Sequence, residues 1–406
     1  MNRNSMRSLF VLIVLCAPML SVQAQVTLPS PPPTPGSDWF GRSVGIDGSR
    51  LVVGAALYDP GTPERTNAGA AFVFVNQGGT WVQEAMLTAP EVALSAGDGF
   101  GQAIAIDGDR IAVGAYNAEP AAGPNSPGYA GAAYVFMRDT TTGTWNRTRL
   151  VPLDDQTQAW LGSTIDIDGD TIIVGAYNYD EGGYSNLNPG AIQNSGAAYI
   201  FQYDGTNWVQ QARLAPPLAD RVPQQRFGQS VAIDGDVALI GAYGPNNGIG
   251  DAYVSTRTGS TWSEPVKLPR SASQVNGGYG HTVALDFPNA MVSAVQHNPG
   301  GTNRVGAVHF YRYDSGSWSE TALVVNPDPQ HLAYFGFSLD ILGDWAFVGA
   351  RADNVGAVNS AGSVIVYRWD GTAWTYDRTL TSDAPLLNAF FGGAVSFDGT
   401  QLLVGE

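Results

Sequence analysis

Between Phe227 and Ala242 the chain sets short aliphatic stretches on either side of a polar break. Ser230-Val231-Ala232-Ile233 and Val237-Ala238-Leu239-Ile240 are rich in β-branched and aliphatic side chains. The Asp234-Gly235 between them offers the positive φ that a tight turn requires, so the stretch predicts a β-hairpin. The pattern recurs with starts at Phe40-Gly41, Phe100-Gly101, Leu161-Gly162, Phe227-Gly228, Tyr279-Gly280, Phe335-Gly336 and Phe391-Gly392. Its spacing of 52 to 66 residues is that of a propeller blade or similar array unit.

Each full copy contains four strand-like pieces. The hairpin ends in a small pair, as at Gly54-Ala55, Gly114-Ala115 and Gly241-Ala242, and a loop of variable length follows. A strand turning from small to aromatic comes next, as in Gly131-Ala132-Ala133-Tyr134-Val135-Phe136, and then one marked by a tryptophan such as Trp81, Trp145 or Trp208. Four short antiparallel strands cannot bury both faces alone, and radial packing hides faces and edges together. The fold predicted is all-β, a seven-bladed β-propeller of four-stranded antiparallel blades over 40–406. The last copy offers two strands before Glu406. The seventh blade is therefore expected to be incomplete or closed by the N-terminal strand near Val26, with a truncated gene product as the alternative. Gln25-Val26-Thr27-Leu28 resembles Ala85-Met86-Leu87-Thr88, which precedes the second copy.

Composition adds a destination. Arg3 and Arg7 precede an apolar run from Leu9 to Leu20 and the small-residue ending Val22-Gln23-Ala24, which reads as a signal peptide over 1–24. A Pro-rich lead-in follows over 25–39. No later stretch is continuously apolar for about 18 residues, so no membrane span is expected and the protein is placed outside the cell, at its surface or in the periplasm. Cys16, the single cysteine, lies in the leader, so no disulfide or thiol nucleophile is expected after cleavage. Acylation of Cys16 is disfavoured because Leu15 stands where a small residue is expected. The formal charge of −16, becoming −18 without Arg3 and Arg7, argues against a nucleic-acid partner and for solubility.

Phe-Gly at the head of each copy and Gly-Ala after its second strand resemble the FG-GAP repeats of integrin α-chain propellers. The resemblance covers 40–406. It implies a seven-bladed propeller and a secreted or surface protein that binds other macromolecules. Many repeats of that family carry an Asp-rich calcium loop. Here the corresponding turns, such as Ile106-Asp107-Gly108-Asp109, are too short to supply about six to eight oxygen ligands. The nearest approach, Asp166-Ile167-Asp168-Gly169-Asp170, has Tyr177 where a closing acid would stand. No metal ligand and no cofactor is expected; calcium is implied by the resemblance alone.

Candidate chemistry is sparse. Gly41-Arg42-Ser43-Val44-Gly45 fits a nucleophile-elbow pattern, but it lies at the start of a hairpin, and the next copy has Ala103 at the serine position. His281, His297, His309 and His331 show no zinc-protease spacing. The loops after Gly-Ala vary most, all emerge at one end of the blades, and are where function collects in repeat proteins. Tyr58, Tyr116, Tyr177 and Tyr243 stand at or near their starts, and Tyr179, Asp180, Glu181 and Tyr184 form the densest cluster. Tyrosine combines contact area with a hydrogen-bonding tip, so these eight are the candidate ligand-binding residues. For Tyr116, Tyr177 and Tyr243 the competing role is packing over the neighbouring blade. The function expected is non-enzymatic binding or adhesion of an extracellular protein or glycan by a monomer. The rivals are a polysaccharide hydrolase or lyase using carboxylates at the same mouth, and a structural fragment of a larger surface protein.

Overall fold

The computed structural model describes residues 12–15, 25–26, 28, 38–59, 67–89, 97–118, 130–154, 156, 158–183, 188, 190–244, 248–271, 277–298 and 304–406. Each hairpin forms where the pattern places it. In the fourth copy Phe227–Asp234 pairs with Val237–Ala242, closing through a two-residue turn with Gly235 at φ 54°. The aromatic strand Asp251–Thr258 adds next, and the tryptophan strand completes the sheet in two pieces, Thr261–Trp262 and Val266–Lys267. Pro265, lacking an N–H, lies at that break. The first, second, third, fifth and sixth copies build uninterrupted four-stranded sheets in sequential order.

The structure therefore has six four-stranded antiparallel blades, not the seven expected. After Phe391 only Ala394–Phe397 and Gln401–Gly405 form strands, and they sit between the inner strands of the sixth and first blades. Their third strand is Leu12–Leu15, paired with Gln401–Val404. Gln25, Val26 and Leu28 are not in a strand. Leu28 is instead buried beside Phe40 and Leu403, while the Gln25 amide donates to Thr381 O and its carbonyl accepts from the Asp383 amide. Pro29 and the prolines beyond it cannot supply ladder donors, which suits an anchored lead-in better than a strand. Apart from Leu12–Leu15, the leader assigned to 1–24 lies outside the described residues. Among those residues there is no α-helix, only a three-residue 3-10 turn at Leu218–Asp220, and no helix is long and apolar enough to cross a membrane.

The repeated motifs are blade-to-blade contacts. The Phe100 ring is fully buried against Tyr134, and its amide donates to Ala68 O in the preceding blade; Leu161, Phe227, Phe335 and Phe391 repeat that backbone bond. Gly114, of the Gly-Ala pair, approaches the next blade so closely that a Cβ would lie 1.9 Å from Gly162 O. The core is accordingly a set of clusters between sheets, such as Val52, Val73, Ile111, Val113 and Tyr134 between the first two blades.

The other end of the ring is closed by carboxylates. Asp47, the last residue of an inner strand, accepts the Gly108 amide of the next blade at 2.6 Å. Asp107, Asp168, Asp234 and Asp286 do the same for Gly169, Gly235, Phe287 and Gly343 at 2.5 to 2.7 Å. Two residues higher, Asp166 accepts the amides of Ile167 and Ile233, both at 2.9 Å. Asp340 accepts those of Ile341 and Phe397 at 2.8 and 2.5 Å. Inner strands have one unpaired edge, and these side chains satisfy part of it.

Candidate functional site

Because Phe40 pairs with Ala55, the start of the inner strand and the variable loop after Gly-Ala lie at the same end of the blade. The residue before each Phe-Gly takes a left-handed conformation in all seven copies: Trp39, Gly99, Trp160, Arg226, Gly278, Tyr334 and Phe390 have φ between 53° and 67°. Glycine adopts this without strain, whereas a bulky side chain there costs about 1–2 kcal/mol. Five of the seven copies keep a bulky side chain at this end of the ring.

The residues after Phe-Gly line an axial cavity of about 520 Å³ that opens at this mouth. Its polar side chains include Arg42, Gln102, Ser163, Gln229 and His281. Its aromatic ones are Trp39, Tyr116, Tyr177 and Phe337, and among the described residues no Asp or Glu lines it. Trp160 stands between Tyr116 and Tyr177, edge-on to both, with ring centres 6.2 and 5.3 Å away. Arg42 stacks on Trp39 at 4.7 Å, and Arg351 lies 3.8 Å over Phe337, with Tyr334 and Phe390 also within 6 Å.

The enclosure shifts several titrations. Arg42 is exposed at the mouth, and its pKa is lowered, chiefly by desolvation. Desolvation lowers that of Arg351, with Arg42 a second cause. His281, turned to the cavity, is brought down to about 4 by desolvation and then by Arg351. It is therefore neutral at neutral pH. Thr282 Oγ1 gives its proton to Phe337 O, so it accepts from His281 Nδ1 at 2.9 Å and leaves Nε2 as an acceptor. Burial raises the pKa of Tyr177 and of Tyr243.

The structure divides the eight candidates. Tyr116 and Tyr177 line the cavity, and Tyr243 sits beside it, edge-on to His281 at 5.3 Å and hydrogen-bonded to Gln296. Tyr58 packs edge-on against Phe72 at 5.2 Å in the first blade. Tyr179 is buried, its hydroxyl donating to Asp154 and its ring covered by Arg213 at 5.1 Å. Its pKa is pushed up to about 12, chiefly by desolvation. Asp180 is buried and accepts the Asn194 amide, while Glu181 pairs with Arg213 at 2.8 Å and Arg221 at 2.9 Å. Tyr184 lies outside the described residues. The aromatic and acidic density of that cluster thus includes a loop fastening, while Arg42, Trp160, His281, Phe337 and Arg351 reach the mouth without having been singled out as ligand contacts.

Ser43 donates to Gly101 O at 2.7 Å, a position shared by Thr164 on Gly228 O and Ser338 on Gly392 O. Among the described residues no group of three or more His, Cys, Asp or Glu side chains could hold a metal ion. The hairpin aspartates engage amides of the next blade rather than converging on one point, so they do not fit the calcium loop implied by the resemblance.

A family model described as the FG-GAP repeat matches residues 34–74, 81–136, 145–201, 208–255 and 318–367. Four of the matches open on Trp81, Trp145, Trp208 and Trp318 and end in the aromatic strand of the following blade, so the matched unit spans a blade junction. No curated protein matches the chain.

Proposed function

The chain belongs to the FG-GAP repeat family, and from that premise we propose that it is a secreted or surface, non-enzymatic binding propeller whose loop-bearing mouth takes a glycan. The observation that carries the reading is the axial cavity of about 520 Å³, lined by aromatic and neutral polar side chains with arginine at its rim. Small-molecule pockets typically span about 300–1,000 Å³ and combine apolar walls with a few placed polar groups. A sugar presents C–H faces to aromatic rings and hydroxyls to amides, which Tyr116, Tyr177, Gln102 and Gln229 supply. Strained bulky side chains at the same mouth support a retained role for them. A hydrolase would call for a carboxylate pair, and among the described residues none lines this cavity.

The test is a glycan and extracellular-protein array, probed in calcium and again in chelator. The expected result is a glycan ligand held in both conditions. Trp160→Ala and Tyr177→Ala should each weaken it by about tenfold, the size of one lost aromatic contact. Binding untouched by both substitutions would refute the site.

A further inference from the structure

We propose that the mouth recognises the carboxylate of an acidic sugar, received between Arg42 and Arg351. This rests on the reading of the mouth as a glycan site and adds its charge. The chain carries 36 acidic against 20 basic residues, yet among the described residues the cavity is lined by Arg42 and His281 and by no carboxylate. Arg351 and Arg42 lie close enough for one to depress the titration of the other. Neither has an ion pair among the described residues. Arg351 Nε is buried without a hydrogen-bond partner, and so is Gln102 Oε1 in the cavity lining.

An unpaired buried donor on a cation is costly, and for Arg351 the charge of Arg42 adds like-charge repulsion. An anion between them relieves both. Stacking supplies the geometry: the guanidinium carbon of Arg351 lies 3.8 Å over the Phe337 ring and that of Arg42 4.7 Å over Trp39. A guanidinium stacked through its face keeps its N–H groups in the ring-parallel plane, free to meet a planar carboxylate edgewise. Around that point the lining is neutral and suited to hydroxyls. Gln102, Ser163 and Gln229 offer amides and a hydroxyl, and His281 Nε2 offers an acceptor. Tyr116 and Tyr177 add ring surface. A bare inorganic anion would leave most of these groups unused, whereas a uronate sugar addresses the guanidinium, amide and aromatic groups together.

The experiment is calorimetric titration of the purified protein with galacturonate, glucuronate and mannuronate trisaccharides, each beside its methyl ester, and with inorganic phosphate. The ester removes the charge and keeps the sugar. At least one acid should bind at least tenfold more tightly than its ester. Arg351→Gln and Arg42→Gln should each abolish most of that difference, and Trp160→Ala should weaken acid and ester alike. Arg42 lies at the rim, so Arg42→Gln decides the matter if Arg351→Gln fails to fold. Acid and ester binding equally would overturn the carboxylate inference and leave the glycan reading standing. Glycans bound on the array but no uronate bound here would do the same. Phosphate competing as well as the sugar would overturn the sugar. Release of an unsaturated product would uphold carboxylate capture and overturn the non-enzymatic reading.

Discussion

Asp166→Asn tests how the ring is held together and carries a definite sign. Asp166 and Asp340 occupy equivalent positions on the third and sixth blades, and each accepts two backbone amides. Both keep some accessible surface, yet protein encloses them, and the charge of Asp166 is felt at Asp340 across the ring. Desolvation raises each to about 7 against the bonds from the amides, with neighbouring aspartates adding to the rise. A carboxyl whose folded pKa is raised stabilises the fold fully below its unfolded pKa, and loses that contribution as pH climbs through the folded value. From 3.8 to about 7 the linkage is at most about 4 kcal/mol per group, of which about 2 kcal/mol disappears between about pH 5.5 and pH 8.5. Water reaching the two side chains would lower both figures.

Asparagine removes the titration. Its NH2 cannot accept, so the amide of Ile167 or Ile233 loses its partner at a cost of about 1–3 kcal/mol. Thermal unfolding followed by tryptophan fluorescence should find Asp166→Asn less stable than wild type at about pH 5.5, with the two converging by a few degrees at about pH 8.5. Comparing variant with wild type at each pH cancels the titration of every other group. A gap that stays constant or widens with pH would show that Asp166 ionises freely in the folded protein, and the account of its enclosure would fall.

Gly114→Ala should cost about 3 kcal/mol or more, because its Cβ would lie 1.9 Å from Gly162 O, whereas Gly108→Ala, left-handed but with open space, should cost about 1–2 kcal/mol. Denaturant midpoints of the two variants check the ranking. Asp107→Ala leaves the Gly169 amide without its acceptor and should destabilise by about 1–3 kcal/mol without altering ligand affinity, read by calorimetry on the same samples. Tyr179→Ala should lose about 3–5 kcal/mol of stability and keep binding, the opposite of Tyr177→Ala, so equal binding losses in both would contradict the division of the tyrosines.

The hairpins and their order were legible because a period-two apolar run and an Asp-Gly turn are local signals. The number of complete blades was not. What pairs with Gln401–Val404 is decided by an edge far away in sequence, where any short apolar stretch satisfies the pattern. Leu12–Leu15 takes that edge, and Leu28 is drawn into the cluster with Phe40 and Leu403. At the site, Tyr116, Tyr177 and Tyr243 were visible because they hold one phase of the repeat. The residue before Phe-Gly escaped notice because hydrophobic patterning does not report a left-handed backbone. Its signal was present all the same: that position reads Trp39, Gly99, Trp160, Arg226, Gly278, Tyr334 and Phe390, either glycine or something large. For Tyr179, Asp180 and Glu181 the sequence does not separate two roles, since a loop fastened by Arg213 needs aromatic and acidic residues as much as a binding loop does.

The two ends of the ring differ in how their polar groups are treated, and that difference argues for where selection for function has acted. At the hairpin end five aspartates each accept an amide of the following blade within 2.7 Å, an arrangement that serves cohesion. At the loop end an arginine nitrogen is buried without a partner, a histidine is held neutral, and five bulky residues occupy backbone that glycine fills more easily. Folding alone gives no reason to keep these groups, because Gly99 and Gly278 show that the same turn closes without a side chain. Strain and unmet hydrogen-bonding capacity at the mouth that also carries the variable loops are what a preorganised binding site requires before its ligand arrives.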